Sequence, residues 1–310
     1  GLNFSVGKIN QAIALSQYDP YFTEDGISRY TDFFYRSNKP LYYVGDPDYQ
    51  IKSFGSNLKF GVPYTEVDRV FFGSGIEIFD IYVTQNTPQP YQNYANAWGV
   101  AVPGRLQTYN IPATVGWARD GRDSALIPSK GSLQRLSAEV GTPLGNLTFY
   151  QLNAQYQQYH SFSKGNILSF NGEVGYGEAY GNKPYPITKN YYVGGIGSVR
   201  GYAPGSLGPQ YYNTFVGRSL PTGGQSKIVT NVEYTVPVPG SGIDKTLRVF
   251  GFVDGGNAFQ NINLVLRYSY GLGLSWISPL GPLKFSYGIP INGQPTDNIQ
   301  RLQFQVGTAF

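Results

Sequence analysis

The sequence predicts an all-β protein, an antiparallel transmembrane β-barrel. Charged residues make up 14% of the chain, against about 25% in soluble domains, and aromatic residues reach 16%. Apolar and polar residues alternate along many segments, and a period of two is typical of strands with one apolar and one polar face. Few charges and many aromatic residues indicate that part of the surface faces something other than water.

Composition also excludes several classes of protein. No stretch approaches the ~18 consecutive apolar residues of a membrane helix, which excludes a helical membrane protein. The chain contains no Cys, so a disulfide scaffold and thiolate metal sites are ruled out. The net charge of +4 is spread without a basic run, and no nucleic-acid partner is expected. Because the chain starts with neither Met nor a signal peptide, we expect a mature product or a fragment.

The alternation predicts fourteen strands. In the segment near the C-terminus, for example, every second residue is apolar: Leu266, Tyr268, Tyr270, Leu272, Leu274 and Trp276. The predicted strands cover residues 2–9, 11–18, 28–36, 50–62, 69–82, 106–119, 131–140, 147–160, 167–177, 227–236, 247–255, 265–277, 283–290 and 299–310.

The two strand faces and the connections favour a membrane barrel over a soluble β-sandwich, which would also alternate. One face is rich in Tyr, Phe and Trp near strand ends, and the other carries amides, Ser and charged residues, as expected of aromatic girdles around a wet lumen. Short turns, such as Gly281-Pro282 and Pro143-Leu144-Gly145, alternate with long polar loops, such as residues 178–226. This predicts the asymmetry between the two sides of outer-membrane barrels.

The last predicted strand ends on an aromatic residue, Phe310. Alternation predicts that one set of its residues faces outward, namely Leu302, Phe304, Val306, Thr308 and Phe310. The inward set is Arg301, Gln303, Gln305 and Gly307. The pattern resembles the C-terminal signal of bacterial outer-membrane barrels, which porins share, and its simpler interpretation is an edge strand that happens to end in Phe.

A glycine-rich segment of the long loop carries the most specific resemblance. It reads Tyr191-Tyr192-Val193-Gly194-Gly195-Ile196-Gly197-Ser198-Val199-Arg200-Gly201-Tyr202 and is followed by Gly208-Pro209. This resembles the sixth extracellular loop of the BamA-type outer-membrane assembly factors, whose superfamily also contains the TamA-type factors and the two-partner secretion translocators. Further matches are Asp19-Pro20-Tyr21-Phe22, Gly116-Trp117, Asp123-Ser124-Ala125-Leu126 with Pro128, residues 276–282 and residues 303–307.

The resemblance implies a sixteen-stranded barrel with a long extracellular loop inserted into its lumen. With fourteen strands predicted, we expect residues 1–310 to form one barrel domain that lacks the first two strands of the family and the periplasmic POTRA domains before them. A truncated set of strands leaves an unpaired edge.

The resemblance also implies a clamp formed by the loop motif Val199-Arg200-Gly201-Tyr202. In the family, the Arg points into the lumen and pairs with acids on neighbouring strands, and the matching positions here are Glu233 and Asp254. Alternation places both acids on the lumen-facing side of their strands. A guanidinium offers a planar fork of donors, so one Arg between two acids can pin a loop inside a barrel. Without the resemblance, an exposed Arg in a glycine-rich turn is the alternative.

The last strand is expected to border a lateral seam, the gap between the first and last strands of the barrel. The resemblance implies that this strand is mobile, and Gly307 lacks a side chain, which weakens packing and permits a kink. The residues expected to form the seam and the C-terminal signal are Leu302, Phe304, Val306, Gly307 and Phe310. An ordinary barrel glycine is the alternative for Gly307.

The function implied by the resemblance is assembly of other barrels in the Gram-negative outer membrane. The expected partners are nascent outer-membrane β-barrel proteins, assembly lipoproteins and periplasmic chaperones acting through POTRA domains, and lipids including lipopolysaccharide. We expect no enzymatic activity, because the single His160 has no nucleophile motif near it and no P-loop is present. No cofactor or metal is expected either, and calcium bound by carboxylates of the outer loops is the alternative.

Three other functions remain as alternatives. An enzyme with a site on the barrel wall is the first, although no catalytic motif supports it. The second is a passive porin, which a wet lumen would permit and a pinned loop would narrow. The third is a TamA-type factor or a two-partner secretion translocator, which shares the loop motif.

Overall fold

The structure, a computed structural model, describes residues 1–6, 10–38, 49–125, 127–163, 165–213, 217–238, 247–260, 265–278 and 281–307. Strands dominate these residues. They are β1 (Leu2–Val6), β2 (Asn10–Asp19), β3 (Ser28–Asn38), β4 (Tyr49–Pro63), β5 (Asp68–Val83), β6 (Gly104–Asn110), β7 (Pro112–Asp120), β8 (Gly131–Gly141), β9 (Phe149–Ser163), β10 (Asn166–Ala179), β11 (Gly201–Tyr202), β12 (Gln210–Asn213), β13 (Arg218–Pro221), β14 (Ser226–Pro237), β15 (Leu247–Phe259), β16 (Arg267–Ser278), β17 (Gly281–Pro290), β18 (Ile299–Gln300) and β19 (Leu302–Val306). An α-helix, α1 (Gln89–Ala97), and a 3-10 helix (Ile187–Lys189) lie in connections.

One antiparallel sheet contains most of these strands and confirms the predicted fold class. Its order is β1-β2-β3-β4-β5-β7-β8-β9-β10-β14-β15-β16-β17-β19, and β6 pairs with β5 beside β7. Neighbours in sequence are therefore neighbours in space, as in an up-and-down barrel. Apart from the two divided strands described next, the boundaries lie within three residues of the predicted ones, except that β15 continues to Phe259. Residues 7–9, the end of the first predicted strand, lie outside the described residues.

The predicted strand 106–119 is divided into β6 and β7. Both pair with β5, β6 along residues 77–83 and β7 along residues 68–74, so that together they act as one interrupted strand. The break falls at Ile111, directly before Pro112. Proline has no N–H to give to a ladder and is confined to strand starts or irregularities, which explains the interruption.

The predicted strand 299–310 is also divided. Residues 299–300 form β18, which pairs with β11 in the long loop and not with the main sheet. The main-sheet pairing with β17 covers only β19, and residues 308–310, including Phe310, lie outside the described residues. Sequence alternation could not show this division because the competing partner, β11, lies about a hundred residues upstream.

The faces of the strands follow the predicted alternation. On β14, Val232 and Tyr234 are exposed, whereas Glu233 between them makes polar contacts on the other face. The inward face carries a ladder of amides: Gln155 Nε2 donates to Asn171 Oδ1 at 3.2 Å, and Asn171 Nδ2 donates to Asn231 Oδ1 at 3.0 Å. An apolar outer band around a polar interior is the arrangement of membrane barrels.

The long connections lie mainly at one end of the barrel, which we call the loop end. Residues 180–225, between β10 and β14, and residues 84–103, between β5 and β6, both lie there. The short turn at Pro143-Leu144-Gly145 was predicted for the opposite end, and that prediction is wrong. Thr148, just after this turn, accepts a 3.1 Å bond from the N–H of Tyr180, at the root of the long loop. Gly281-Pro282 opens β17, and residues 279–280 before it are outside the described residues.

A small apolar core fills the loop end. Residues Tyr91, Tyr94 and Ala95 of α1 are buried against the inward side chains of β5 and β6 and against the long loop, a cluster completed by Ile81, Val83, Leu106 and Ile187. The strand pattern of the sequence does not predict α1. We call this helix with its flanking residues 84–103 the cap. In the described part of the chain, no helix is both long and apolar enough to cross a membrane.

Candidate functional site: the loop tip in the lumen

The loop tip, residues 193–203, turns sharply so that its motif faces the barrel wall. Gly194 and Gly195 both have positive φ, a conformation that L side chains rarely adopt. Backbone bonds close the turn, with the N–H of Gly195 donating to Val199 O at 3.0 Å. Val199 and Tyr202 are fully buried in a cluster with residues of the loop and of β14 and β15: Val193, Leu207, Val229 and Ala258. Burial of the apolar side chains of Val199 and Tyr202 therefore holds both ends of the motif against the barrel wall.

Arg200 lies between the two acids named from the sequence. Its Nε and Nη2 donate to Asp254 Oδ2 and Oδ1 at 2.7 and 2.8 Å, and its backbone N–H reaches Oδ2 at 3.0 Å. Its Nη1 donates to Glu233 Oε2. The side chains of Arg200 and Asp254 are 4% and 0% exposed, so the bidentate pair is withdrawn from water. The structure therefore brings Arg200, Glu233 and Asp254 together across β14 and β15.

Two further polar residues complete this network, and the sequence analysis did not name them. Lys284 on β17 donates to both oxygens of Glu233 at 2.9 Å. Asn231 donates through Nδ2 to Asp254 Oδ1 at 2.9 Å and to Ser198 O at 2.6 Å. Two cations therefore face two carboxylates, which balances the buried charge as a paired site requires. The sequence does contain a signal for Asn231, because it lies on the same inward phase of the strand as Glu233. Lys284 can be identified only from the geometry of the barrel.

An aromatic platform supports Arg200, and sequence reasoning missed it as well. The guanidinium carbon lies 3.6 Å from the ring centroid of Phe252, with Phe250 beside it. These inward rings need space, which the glycines of β16 provide: a Cβ at Gly271 would lie 2.6 Å from Phe252 Cζ. Stacking a weakly hydrated guanidinium on an aromatic face is favourable. Aromatic residues on the lumen-facing phase of β15, opposite a Gly-x-Gly pair, were the available signal.

Gly201 brings the tip against the last part of the chain. It has φ +89, and a Cβ there would lie 3.1 Å from Gly288 C and O on β17. Gly201 and Tyr202 form β11, which pairs with β18, and Gln303 Nε2 donates to Tyr202 O at 2.6 Å. The motif therefore makes two kinds of contact: the Arg200 side chain binds the two acids, and the backbone of Gly201 and Tyr202 binds the start of the last strand.

The five residues predicted to form the seam and the C-terminal signal do not all lie in the last strand. Leu302, Phe304 and Val306 lie on β19 with exposed side chains, as the alternation predicts. Gly307 lies after the strand and not within it: its φ is +90, and its N–H donates to Pro282 O at 2.7 Å. Gly307 therefore ends the last strand in a conformation that favours glycine, and the kink expected there stays a prediction. The strand is interrupted at Arg301, where pairing with β11 gives way to pairing with β17. Phe310 is outside the described residues.

The described residues at this site offer ion pairing and backbone pairing, and no group of three or more His, Cys, Asp or Glu side chains occurs among them that could hold a metal ion. His160 lies on β9 with its ring 4.6 Å from that of Phe162. In the described part of the chain, β1 and β19 stand at the two ends of the sheet order, each with one strand partner. The fold and the site together define a membrane β-barrel whose long loop is clamped inside the lumen next to an open strand edge.

The comparisons with known proteins agree with this class. Residues 1–310 match the model of the Omp85 superfamily domain, and the chain belongs to that family. It is 35% identical over 96% of its length to the outer membrane protein assembly factor BamA of Neisseria meningitidis and 27% identical over 85% to BamA of Nitratidesulfovibrio vulgaris. It spans 41% and 32% of the lengths of these two relatives.

A solved structure is also similar, that of BamA from Haemophilus ducreyi lacking POTRA domains 1–3. It superposes with a TM-score of 0.86 at 25% identity, covering 98% of this chain and 63% of that one. The chain is thus a BamA-type member of the superfamily and an outer-membrane β-barrel of Gram-negative bacteria.

Proposed function

We propose that this barrel is the membrane domain of an assembly factor that folds and inserts β-barrel proteins into the outer membrane. The observation that carries the proposal is the last strand, β19, which has one strand partner among the described residues and whose start is held by the clamped loop tip. The names of the relatives, which are outer-membrane assembly factors, support it. The proposed activity is non-enzymatic and needs no cofactor.

The backbone of β19 is oriented to receive another strand. The N–H of Gly288 donates to Arg301 O, and the N–H of Gly307 donates to Pro282 O, so the odd-numbered residues of this segment bond to β17. In an antiparallel pair the bonding direction alternates along the strand. The N–H and C=O groups of Leu302, Phe304 and Val306 therefore point to the open edge, while their side chains face lipid.

An incoming client barrel could pair its own terminal strand with these groups by β-augmentation. An unpaired backbone group in lipid costs several kcal/mol, which favours pairing at any open edge within the membrane. No nucleotide-binding motif is present in the sequence, and the folding free energy of the client would drive insertion. Besides client barrels, the partners that we propose with this function are assembly lipoproteins, periplasmic chaperones and lipopolysaccharide.

The substitution Phe304→Pro tests the proposed strand edge. Proline removes the N–H that faces the edge but leaves the bonds from β17 to the odd-numbered residues in place, and edge strands tolerate proline. We expect about a tenfold slower insertion of an unfolded client barrel into proteoliposomes that contain the full-length protein. Insertion is measured as the fraction of client that becomes protease-resistant and heat-modifiable on gels.

Phe304→Ala is the matched control, because it removes the same side chain and keeps the N–H. Heat-modifiable migration of each variant reports whether the barrel itself has folded. Equal insertion rates for folded Phe304→Pro and Phe304→Ala would contradict templating at this edge. A large steady ion conductance of the unaltered protein, with no client insertion, would favour a porin.

A further inference from the structure

A second cation of the long loop is held between carboxylates, far from Arg200. Lys189, at the end of the 3-10 helix, places its Nζ 2.9 Å from Glu77 Oε2 on β5 and 2.6 Å from Glu139 Oε1 on β8. The side chains of Lys189 and Glu77 are each 14% exposed. Neither acid contacts the Arg200 network, and β9, β10 and β14 separate β8 from β15 in the sheet order.

The surroundings fix Lys189 in this position. Asn110 Nδ2 donates to Glu77 Oε2 at 3.0 Å, which orients that carboxylate. The backbone oxygen of Lys189 accepts bonds from Gln151 Nε2 at 3.1 Å and from the Tyr185 hydroxyl at 3.2 Å. Burial alone would lower the pKa of the Lys189 ammonium, but Glu77 and Glu139 outweigh it and the pKa is raised. The ammonium therefore stays charged, and both its side chain and its backbone are bound to the wall.

Lys189 directly follows the segment that packs against the cap. Ile187, two residues earlier in the same 3-10 helix, is buried against Tyr91, Tyr94 and Ala95 of α1. Tyr185 packs edge-on against Phe149 of β9, with ring centroids 5.9 Å apart. The root of the loop is thus joined to the wall by an ionic contact and to the cap by an apolar one. Moving Lys189 would move the surface on which the cap rests.

We propose that Lys189 is a positioning residue that holds the cap over the loop end of the lumen and so keeps the barrel closed to ions. This role is separate from client insertion and from the Arg200 clamp. The loop is then fixed at two independent places: the tip at β14 and β15 near the last strand, and the root at β5 and β8 under the cap. Closure of the lumen depends on the second place.

Two measurements on the full-length protein in lipid test this role. These 310 residues contain no Cys, so Ala95→Cys introduces the one thiol of the barrel domain at a fully buried position of α1, and the maleimide labelling rate of this site reports lifting of the cap. Ion conductance in planar bilayers reports opening of the lumen. With Lys189→Met we expect labelling about tenfold faster, equivalent to about 1.4 kcal/mol of lost anchoring, and frequent conducting events. Lys189→Arg should keep both values near those of the parent.

The matched control is Lys183→Met. Lys183 belongs to the same loop and is exposed, and it forms no ion pair with any residue that the structure describes. Its ammonium lies 4.7 Å from the ring centroid of Trp98, a residue of the cap, so the variant removes a loop cation that touches the cap without an ionic anchor. Because an exposed cation–π contact is weak, its removal should accelerate labelling by only about two- to threefold. Equal labelling and conductance in the Lys189→Met and Lys183→Met variants would overturn the proposal.

A triple variant separates anchoring from mere charge balance. Lys189→Met alone leaves two partly buried carboxylates without their cation, which could disturb the strands themselves. Lys189→Met combined with Glu77→Gln and Glu139→Gln removes that imbalance but does not restore the ionic contact. The proposal expects this variant to fold and still to label and conduct like Lys189→Met. A triple variant as closed as the parent would show that packing alone holds the cap, and would overturn the anchor.

Discussion

Arg200→Ala is expected to release the loop tip and to abolish most client insertion while the strands remain formed. The change leaves Asp254 and Glu233 without the guanidinium that binds both, and Asp254 is fully buried. Removing one partner of a buried ion pair typically costs about 3–5 kcal/mol. Because the barrel ladders do not depend on Arg200, this free energy is lost from the docking of the tip. Val199→Cys, at a fully buried position, would report the release by its maleimide labelling rate.

Two further variants serve as a control and as an intermediate case for this prediction. Arg105→Ala removes an arginine that is itself mostly exposed from its pair with Asp80, and solvent screens such a pair so that it contributes little to stability. It should leave labelling and insertion unchanged. Arg200→Lys keeps the charge but loses the bidentate fork and the flat stack on Phe252, so it should fall between the parent and Arg200→Ala. If Arg200→Ala labelled no faster than Arg105→Ala, the clamp would not hold the tip.

Gly288→Ala is expected to push the loop tip away from β17 without changing the side chains of Arg200, Glu233 or Asp254 themselves. An added Cβ would lie 2.6 Å from Gly201 N and 2.9 Å from Arg200 C, both of them backbone atoms that cannot rotate away. Overpacking of this kind typically costs about 1–3 kcal/mol. The strain should break the Gln303 bond to Tyr202 O and the pairing of β11 with β18. Trypsin cleavage after Arg200 measures the displacement, because the bond becomes accessible only when the tip leaves the wall.

Gly251→Ala is the control for this change. A Cβ at Gly251 on β15 meets its nearest atom, Leu272 Cδ2, at 3.5 Å, an ordinary contact. We expect cleavage after Arg200 in this variant to match the parent, whereas Gly288→Ala should be cleaved about tenfold faster. Slow cleavage of Gly288→Ala together with normal insertion would mean that the tip tolerates a wider separation from β17 than the close contact suggests.

Much of the site could be predicted because a strand has a period of two. The inward phase of Glu233 follows from its neighbours Val232 and Tyr234, which face outward. The choice of Arg200 as the partner came from the resemblance, because no local pattern in the sequence links Arg200 to Asp254, which lies 54 positions further along the chain. Phe252 stayed hidden because an aromatic residue on an inward phase contradicts the simple expectation of a polar lumen. Lys189 stayed hidden because its two acids lie on strands far away in the sequence.

The sequence by itself determined the fold class, the strands and the face on which most of their residues lie. Alternation is a local property, and each strand repeats it independently of its neighbours. The tertiary structure decided what the long loop contacts and where the last strand leaves the sheet. The loop tip pairs with residues 299–300, whereas β17 pairs from Arg301 onward, and this division exists only once the loop lies against the barrel wall. For that reason the last strand is interrupted at Arg301, which the local alternation did not predict.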